Sequence, residues 1–241
     1  MAIIFNFSKC EHLHIGNDSP SYSYTLAGTE IPLVENTSDL GVIFDSTLKF
    51  HLQTANVISK ANQRLAIIRR CFTFLDEYSF LLLYKSFVRP ILEYGNICWG
   101  PHFQSDIIAL ESVQRRATKL VRNIKELPYI QRLQHLKLPS LSYRRYRGDM
   151  ITTYKILNNL IAIDPKDFFE FSPMQSTRGH EQKLYKHLSK SFLRRNFFSN
   201  WIINSWNSLP PYVIKSTTLI SFKNNLDLHL SDSYYKSCIN S

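Results

Sequence analysis

The chain has 241 residues, 44% of them hydrophobic and 13% aromatic, which is enough apolar material to bury a core and excludes a disordered tail. Its 29 Lys and Arg outnumber its 19 Asp and Glu, giving +10 and a pI near 9.4, so the summed field attracts polyanions such as nucleic acid or an anionic surface. The longest apolar run, Phe80 to Tyr84, is far short of the ~20 residues that a membrane span requires. With no secretory leader readable at the start, a cytoplasmic or nuclear protein without membrane partners is expected.

The chain opens on Ile3, Ile4, Phe5, Phe7, Leu13 and Ile15, spaced as in strands. From residue 10 to about 45 the strand pattern continues. "YSYTL" and "TEIPLV" flank Ala27-Gly28, a two-residue link with glycine where a hairpin turn requires positive φ, so the two should pair. "DLGVIF" reads as a third strand, in which Gly41 marks a bulge or a close backbone approach. After Asp45 the period becomes helical. Val57, Ile58, Ala61, Leu65, Ile68 and Phe72 recur at steps of three and four on one face. A second helix starts at an N-cap, Asp76, and ends or kinks at Pro90. "NICWGP" is a break, a third helix runs from near Ser105 to Ile124, and a short fourth precedes Pro139. The fifth, "SLSYRRYRGDMITTYKILNNLIAI", carries Gly148, which invites an interruption. "DPKDFFEFSPMQSTRG" reads as a linker, and helices around "FFSNWIINSWN" and "TTLISFKNNLDLHL" close the chain. The expected class is α+β, mainly α: a small N-terminal antiparallel β element (1–46), a helical bundle (47–163), and a linker with a C-terminal helical region (164–241).

Cys10, Cys71, Cys98 and Cys238 are scattered, with no Cys-x-x-Cys pair, so neither a disulfide framework nor a zinc finger is indicated; reduced, mostly buried thiols are expected. His12 and His14 share one face of a strand but lack further ligands nearby. Asp164, Asp167 and Glu170 suggest a metal-dependent nuclease only if they converge on one ion, whereas Asp164-Pro165 is a natural turn and Asp167 a natural N-cap. Gly-rich phosphate loops, Gly-x-Ser-x-Gly, His-Glu-x-x-His and Asp-Asp pairs are all missing from the sequence.

The charge is concentrated. Between Glu111 and Arg147 ten basic residues face two acidic ones. In the third helix Arg115, Lys119 and Arg122 fall within about 60° of one another, opposite Leu110, Val113, Ala117, Leu120 and Ile124. Arg116 adds to this stripe, and Arg144, Arg145 and Arg147 follow, interleaved with Tyr143 and Tyr146. Such clustering is the footprint of a surface that follows phosphates. Arg178-Gly179 begins a second basic region, where a guanidinium and exposed backbone suit a phosphate.

An ordered series of segments, "NFSKCEHLHIG", "DLGVIFDSTLKFHLQ", "ISKANQRL", "FVRPILEYGNICWGP", "LESVQRRATKLV", "TRGH" and "FFSNWIINSWNSLP", resembles the C-terminal portion of a non-LTR retrotransposon reverse transcriptase of the jockey or chicken-repeat type, over roughly Phe5 to Leu230. The resemblance implies that Asn6, Lys9 and Cys10 match a palm segment that follows the catalytic Ala-Asp-Asp motif. It places Leu40, Gly41 and Val42 at the turn and strand pressing on the primer end, and the helices from His51 in the thumb that clamps template and primer. The family's palm carboxylates hold two Mg²⁺ ions; no position here matches them, so no catalytic residue, metal or cofactor is assigned to this chain. The implied partners are an RNA or DNA duplex, or a hybrid, and the rest of a polymerase. The contacts expected are Lys9, Gly41, Arg115, Arg116, Lys119, Arg122, Arg144, Arg145, Arg147 and Arg178. A non-catalytic protein-interaction remnant is the alternative.

Overall fold

The computed structural model describes residues 6, 9–16, 22–173 and 179–231. The chain is α+β and mainly α. Six short strands occupy the N-terminal part: β1 (His12–Leu13), β2 (Tyr24–Leu26), β3 (Thr29–Ile31), β4 (Leu33–Val34), β5 (Asn36–Asp39) and β6 (Val42–Asp45). They pair two by two. β2 and β3 form the expected hairpin, with Ala27 (φ 51°) and Gly28 (φ 81°) both left-handed as a type I′ turn demands. β1 and β4 pair in parallel, so the β element is not antiparallel throughout.

"DLGVIF" is not one strand. Asp39 pairs with Val42 across Leu40 (φ 46°) and Gly41 (φ 80°), so Gly41 is the turn of a second hairpin, β5–β6, instead of a mid-strand bulge. The Tyr94 hydroxyl donates to the Leu40 carbonyl (2.8 Å) and fixes this turn on the helical body. Gln53, fully buried, accepts from the Ile43 N–H (3.0 Å) and ties β6 to the first helix.

Helix α1 (His51–Cys71) buries Val57, Ala61, Leu65 and Ile68 as its periodicity predicts, while Phe72 lies just past its end and is exposed. α2 (Glu77–Leu83) starts where Asp76 accepts from the Ser79 N–H (3.0 Å). Pro90 neither ends nor simply kinks the run. A wide π turn at Tyr84–Val88, closed by the Arg89 N–H on the Tyr84 carbonyl, leads into α3 (Arg89–Glu93), which receives the proline in its first turn, where no N–H is required. α4 (Asn96–Trp99) occupies the stretch read as a break. α5 (Gln104–Thr118), α6 (Tyr129–His135) and α7 (Leu141–Leu157) follow, the last continuous through Gly148. α8 (Phe192–Asn196), α9 (Phe198–Asn207), α10 (Pro211–Ile214) and α11 (Leu219–His229) complete the chain, with Thr218 and Ser221 forming a capping box on α11.

Two apolar cores result. The first gathers Val42 through Leu141, centred on Phe80, Tyr84, Trp99, Leu110 and Leu133; the second gathers Tyr143 through Leu230, centred on Met150, Ile202, Trp206 and Phe222. The division between them falls in the first turn of α7 rather than near residue 163, and α7 packs with the C-terminal helices. The segment read as a linker contributes as well: Phe169 is buried against Phe198, and Phe171 bridges to Leu184. His180, Trp206 and Asn207 hold this second core together. His180 Nε2 meets the Trp206 carbonyl (3.1 Å), Trp206 Nε1 donates to the Gln182 carbonyl (3.0 Å), and the Asn207 amide clasps both the N–H and the C=O of Leu184 at 2.8 Å.

Of the described cysteines, Cys71 and Cys98 are exposed and Cys10 half-buried, contrary to the expected burial. None of these three thiols is core material. Truncation of Phe222, which stacks on Tyr154 at 4.1 Å and has no exposed surface, is expected to cost about 3–5 kcal/mol in urea unfolding of the Phe222→Ala protein. The exposed Phe72→Ala is expected to change stability by less than about 0.5 kcal/mol in the same measurement.

Candidate nucleic-acid interface

Two contacts fix how the basic helix α5 lies. His51 Nδ1 meets Asp106 Oδ2 at 2.7 Å, and Arg116 Nη2 donates to Asn62 Oδ1 at 3.0 Å. The partners are separated by nearly the same number of residues, so α1 and α5 run parallel and point their C-termini the same way, with α1 continuing about two turns past the level at which α5 ends. Exposed cations of both helices lie toward that end: Arg69 and Arg70 on α1, Arg115 and Arg116 in the last turn of α5, then Lys119, Arg122 and Lys125 in the turn that follows, whereas Arg64, two residues from Asn62, faces the other flank of α1. Asn62 and Arg69, seven residues apart, lie on one side of α1, and Arg116 reaches that side from α5. Among the described residues no carboxylate lies within ion-pair distance of any of these eight cations.

The predicted third helix is shorter than its periodicity suggests. It stops at Thr118, so Lys119 caps it and Arg122 lies in a separate 3₁₀ turn, Arg122–Ile124. The turn keeps its shape because Val121 and Ile124 are buried beneath it and because Arg132 works from inside. Arg132 is 3% exposed. Its Nε donates to Thr118 Oγ1 (3.0 Å), Nη1 to the Leu127 carbonyl (2.7 Å), and Nη2 to the Arg115 carbonyl (3.2 Å). The side chain thus satisfies one carbonyl at the helix end and one beyond the following turn, and burial presses its pKa below that of a free guanidinium. Tyr129 lies flat against both Arg115 and Arg132, with guanidinium carbons 5.0 and 5.6 Å from its ring centre.

Arg144, Arg145 and Arg147 are placed differently. Arg144 grips Glu93 with two nitrogens, the Nη2–Oε2 distance being 2.8 Å, and Arg147 grips Asp227 likewise, with Nη2–Oδ2 at 2.7 Å. Arg145 donates to Ser142 (3.2 Å) and lies near Glu111 and Asp149. Arg144 and Arg147 are half-buried fasteners from α7 to α3 and to α11, Arg145 bonds within α7, and the three together correct the expectation of one continuous basic surface running to residue 147. Their carboxylate partners lie far away in sequence, which is why charge counting along the chain missed them. Conversely, Arg69 and Arg70 carry no signal in the sequence, because only the parallel packing of α1 with α5 brings them toward the same end.

Lys9 is exposed on a turn in which its N–H bonds the Asn6 carbonyl (3.1 Å) and the Cys10 thiol approaches the same carbonyl (3.7 Å). Gly41 stands at the β5–β6 tip beside Leu40, which is 82% exposed. Arg178 lies outside the described residues, while its neighbour Gly179 (φ 95°) would place a side chain 3.1 Å from Lys183 Cε. The candidate nuclease carboxylates do not converge: Asp164 caps a 3₁₀ turn through the Lys166 N–H (2.9 Å), Asp167 sits within that turn, and Glu170 pairs with His187 (2.9 Å). No group of three or more metal-binding side chains gathers among the described residues, and no described helix is long and apolar enough to cross a membrane.

Burial raises the Asp149 carboxyl to about 7, with Arg145 opposing, and raises Glu111 as well. For Asp149 the folded state binds more protons than the unfolded one between about pH 4 and pH 7, so its contribution to stability declines as pH rises through that window. Asp149→Asn is expected to remove this decline, leaving the variant more stable than the parent at pH 8 by on the order of 2 kcal/mol, with little difference at pH 4, in chemical denaturation across pH.

No family model matches the sequence, and no solved structure matches it. An uncharacterized protein of the nematode Caenorhabditis elegans is 25% identical to it over 161 residues, which cover 61% of this chain and 81% of the relative.

Proposed function

We propose that the chain is the palm-end and thumb portion of a non-LTR retrotransposon reverse transcriptase, and that its task is to hold a template–primer duplex or hybrid by the backbone. The observation that carries this reading is the group of seven exposed cations without carboxylate partners toward the C-terminal ends of the parallel helices α1 and α5. Phosphates are tracked by such a surface without reading sequence, and counterion release supplies the driving force. The ordered motif series supports the same reading, as does the turn at Leu40 and Gly41, which projects at a hairpin tip in the manner that a primer-facing element requires. The ion-holding carboxylates of polymerisation are assigned to no residue of this chain.

A protein-docking remnant is the second reading, favoured by Phe74, Tyr78, Leu82 and Phe87, each more than half exposed around α2 and the π turn. Exposed apolar side chains grouped in this way suit a partner polypeptide.

Electrophoretic shift of an RNA–DNA hybrid across a salt series decides between them. The first reading expects retardation that weakens steeply with salt and shows little sequence preference. Replacing Arg115, Arg116 and Lys119 with alanine is expected to shallow the log–log salt slope by about 2–3. Arg144→Gln, which breaks an internal ion pair, is expected to lower stability and leave that slope in place. No retardation even at low salt would abandon nucleic-acid binding in favour of the docking surface. Primer extension with dNTPs and Mg²⁺ by the purified chain is expected to be nil.

A further inference from the structure

Arginine stands three residues before a hydroxyl side chain at two places in the sequence, Arg115-Arg116-Ala117-Thr118 and Arg70-Cys71-Phe72-Thr73. A protein kinase whose acidic groups read an arginine at that distance finds its spacing in both. The fold separates them. Thr118 is fully buried in the first core, where its Oγ1 donates to the Arg115 carbonyl (3.0 Å) and accepts from Arg132 Nε (3.0 Å).

Thr73 stands in the open. It lies in the link between α1 and α2, where the backbone has left the helix: Phe72 is extended (φ −122°, ψ 108°), as is Asp76 at the start of α2 (φ −77°, ψ 171°). Cys71, Phe72, Thr73 and Phe74 are all exposed, and the link is pinned to the core only beyond them, by the buried Leu75. A modifying enzyme requires a segment of this kind, short of tertiary contacts and with its main chain accessible. Arg69 and Arg70 are exposed in the last turn of α1, whose final carbonyls have no partner within the helix, so that turn is drawn out at little cost.

We infer that Thr73 is a phosphorylation site for an arginine-directed protein kinase, and that its phosphate weakens the cationic end toward which α1 points. In the transfer the Thr73 hydroxyl oxygen bonds to the γ-phosphorus of ATP, the bond from that phosphorus to the bridging oxygen breaks, ADP leaves, and the hydroxyl proton passes to the kinase's base. The product carries nearly two negative charges at neutral pH, three and four residues from Arg70 and Arg69. Those two cations are offset, and five of the seven remain to face a polyanion. The site itself is independent of nucleic acid; its effect rests on the proposed hold on a hybrid.

The test incubates the folded full chain with Mg²⁺, ATP and purified calcium/calmodulin-dependent kinase, then maps phosphate by mass spectrometry of its peptides. The expected result is one phosphate per chain, on Thr73, with Thr118 unmodified. Thr73→Ala is expected to abolish incorporation, and Arg70→Gln to slow it at least about tenfold, because the kinase loses a charged partner. In the hybrid shift across a salt series, the phosphorylated chain is expected to show a log–log slope shallower by about 2, and Thr73→Glu, with half the charge, by about 1. No phosphate on Thr73, incorporation indifferent to Arg70, or labelling of Thr118 in place of Thr73 would overturn the site. An unchanged slope in a chain fully phosphorylated on Thr73 would overturn its effect on the cationic end. The peptide map needs no nucleic acid, so failure of the unmodified chain to retard a hybrid counts against the hold on nucleic acid and not against the site.

Discussion

The buried carboxylate of Glu111 is the point through which the two cores are joined. It is 3% exposed, in the middle of α5, and its Oε2 accepts the Leu141 N–H (2.9 Å) at the start of α7 while its Oε1 accepts the Tyr129 hydroxyl. Gln114, one turn on and also buried, accepts from the Tyr84 hydroxyl (2.6 Å) and donates to Tyr129 (3.1 Å) and to the Pro139 carbonyl (3.0 Å). α2 and its π turn, α5, the loop before α7, and α7 itself therefore converge on two side chains. A charge held in such a place costs several kcal/mol unless it is fully answered. Here a helix N-terminus, a phenol and the nearby Arg145 answer it, and burial still leaves its pKa raised. The same residue ties the cationic helix to the first turn of α7. Glu111 was one of two acidic residues in the basic stretch, and in the sequence it looked like a mere dilution of positive charge.

Much of the fold was legible because it rests on local chemistry. Ala27-Gly28 announced a hairpin, the spacing from Val57 to Ile68 announced α1, and Asp76 announced a cap, each through bonds spanning a few residues. Where the outcome hinged on distant partners, the reading failed. Gly41 lies in an apolar run, yet polar Asn36–Asp39 folds back on it, and no pattern of hydrophobicity reveals a strand whose residues are mostly exposed. α5 stops at Thr118, where Arg132 donates to the Thr118 hydroxyl fourteen residues back and to the Arg115 carbonyl. An arginine reads identically in sequence whether it faces water or grips a carboxylate, so Arg115 and Arg144 were indistinguishable until Glu93 was seen beside the second.

The motifs that carry the resemblance divide by role for the same reason. Trp206, Asn207 and His180 are committed to holding the segment around Leu184 in place, and their identities follow from the main-chain groups they satisfy. Gly95 belongs with them: at φ 65°, with the position of a β-carbon only 3.1 Å from Val42, it lets the α3–α4 corner pass close to the β5–β6 hairpin. From "QRRATK" Arg115, Arg116 and Lys119 point outward, while Gln114, Ala117 and Thr118 of the same stretch are buried. Most of the recognisable pattern thus records packing, and a small part records the surface.

Parallel packing of α1 and α5 has an electrostatic corollary. Two antiparallel neighbours would largely cancel their peptide dipoles, whereas two parallel ones point both negative poles the same way, roughly half an elementary charge each. Arg69 and Arg70, together with Arg115 and Arg116, stand over those poles. About one unit of their charge is therefore neutralised by the protein's own backbone. A polyanion approaching this end meets a weaker field than the tally of guanidinium groups implies, and the cations beyond the helix ends, Lys119, Arg122 and Lys125, are the ones that act on it at full strength.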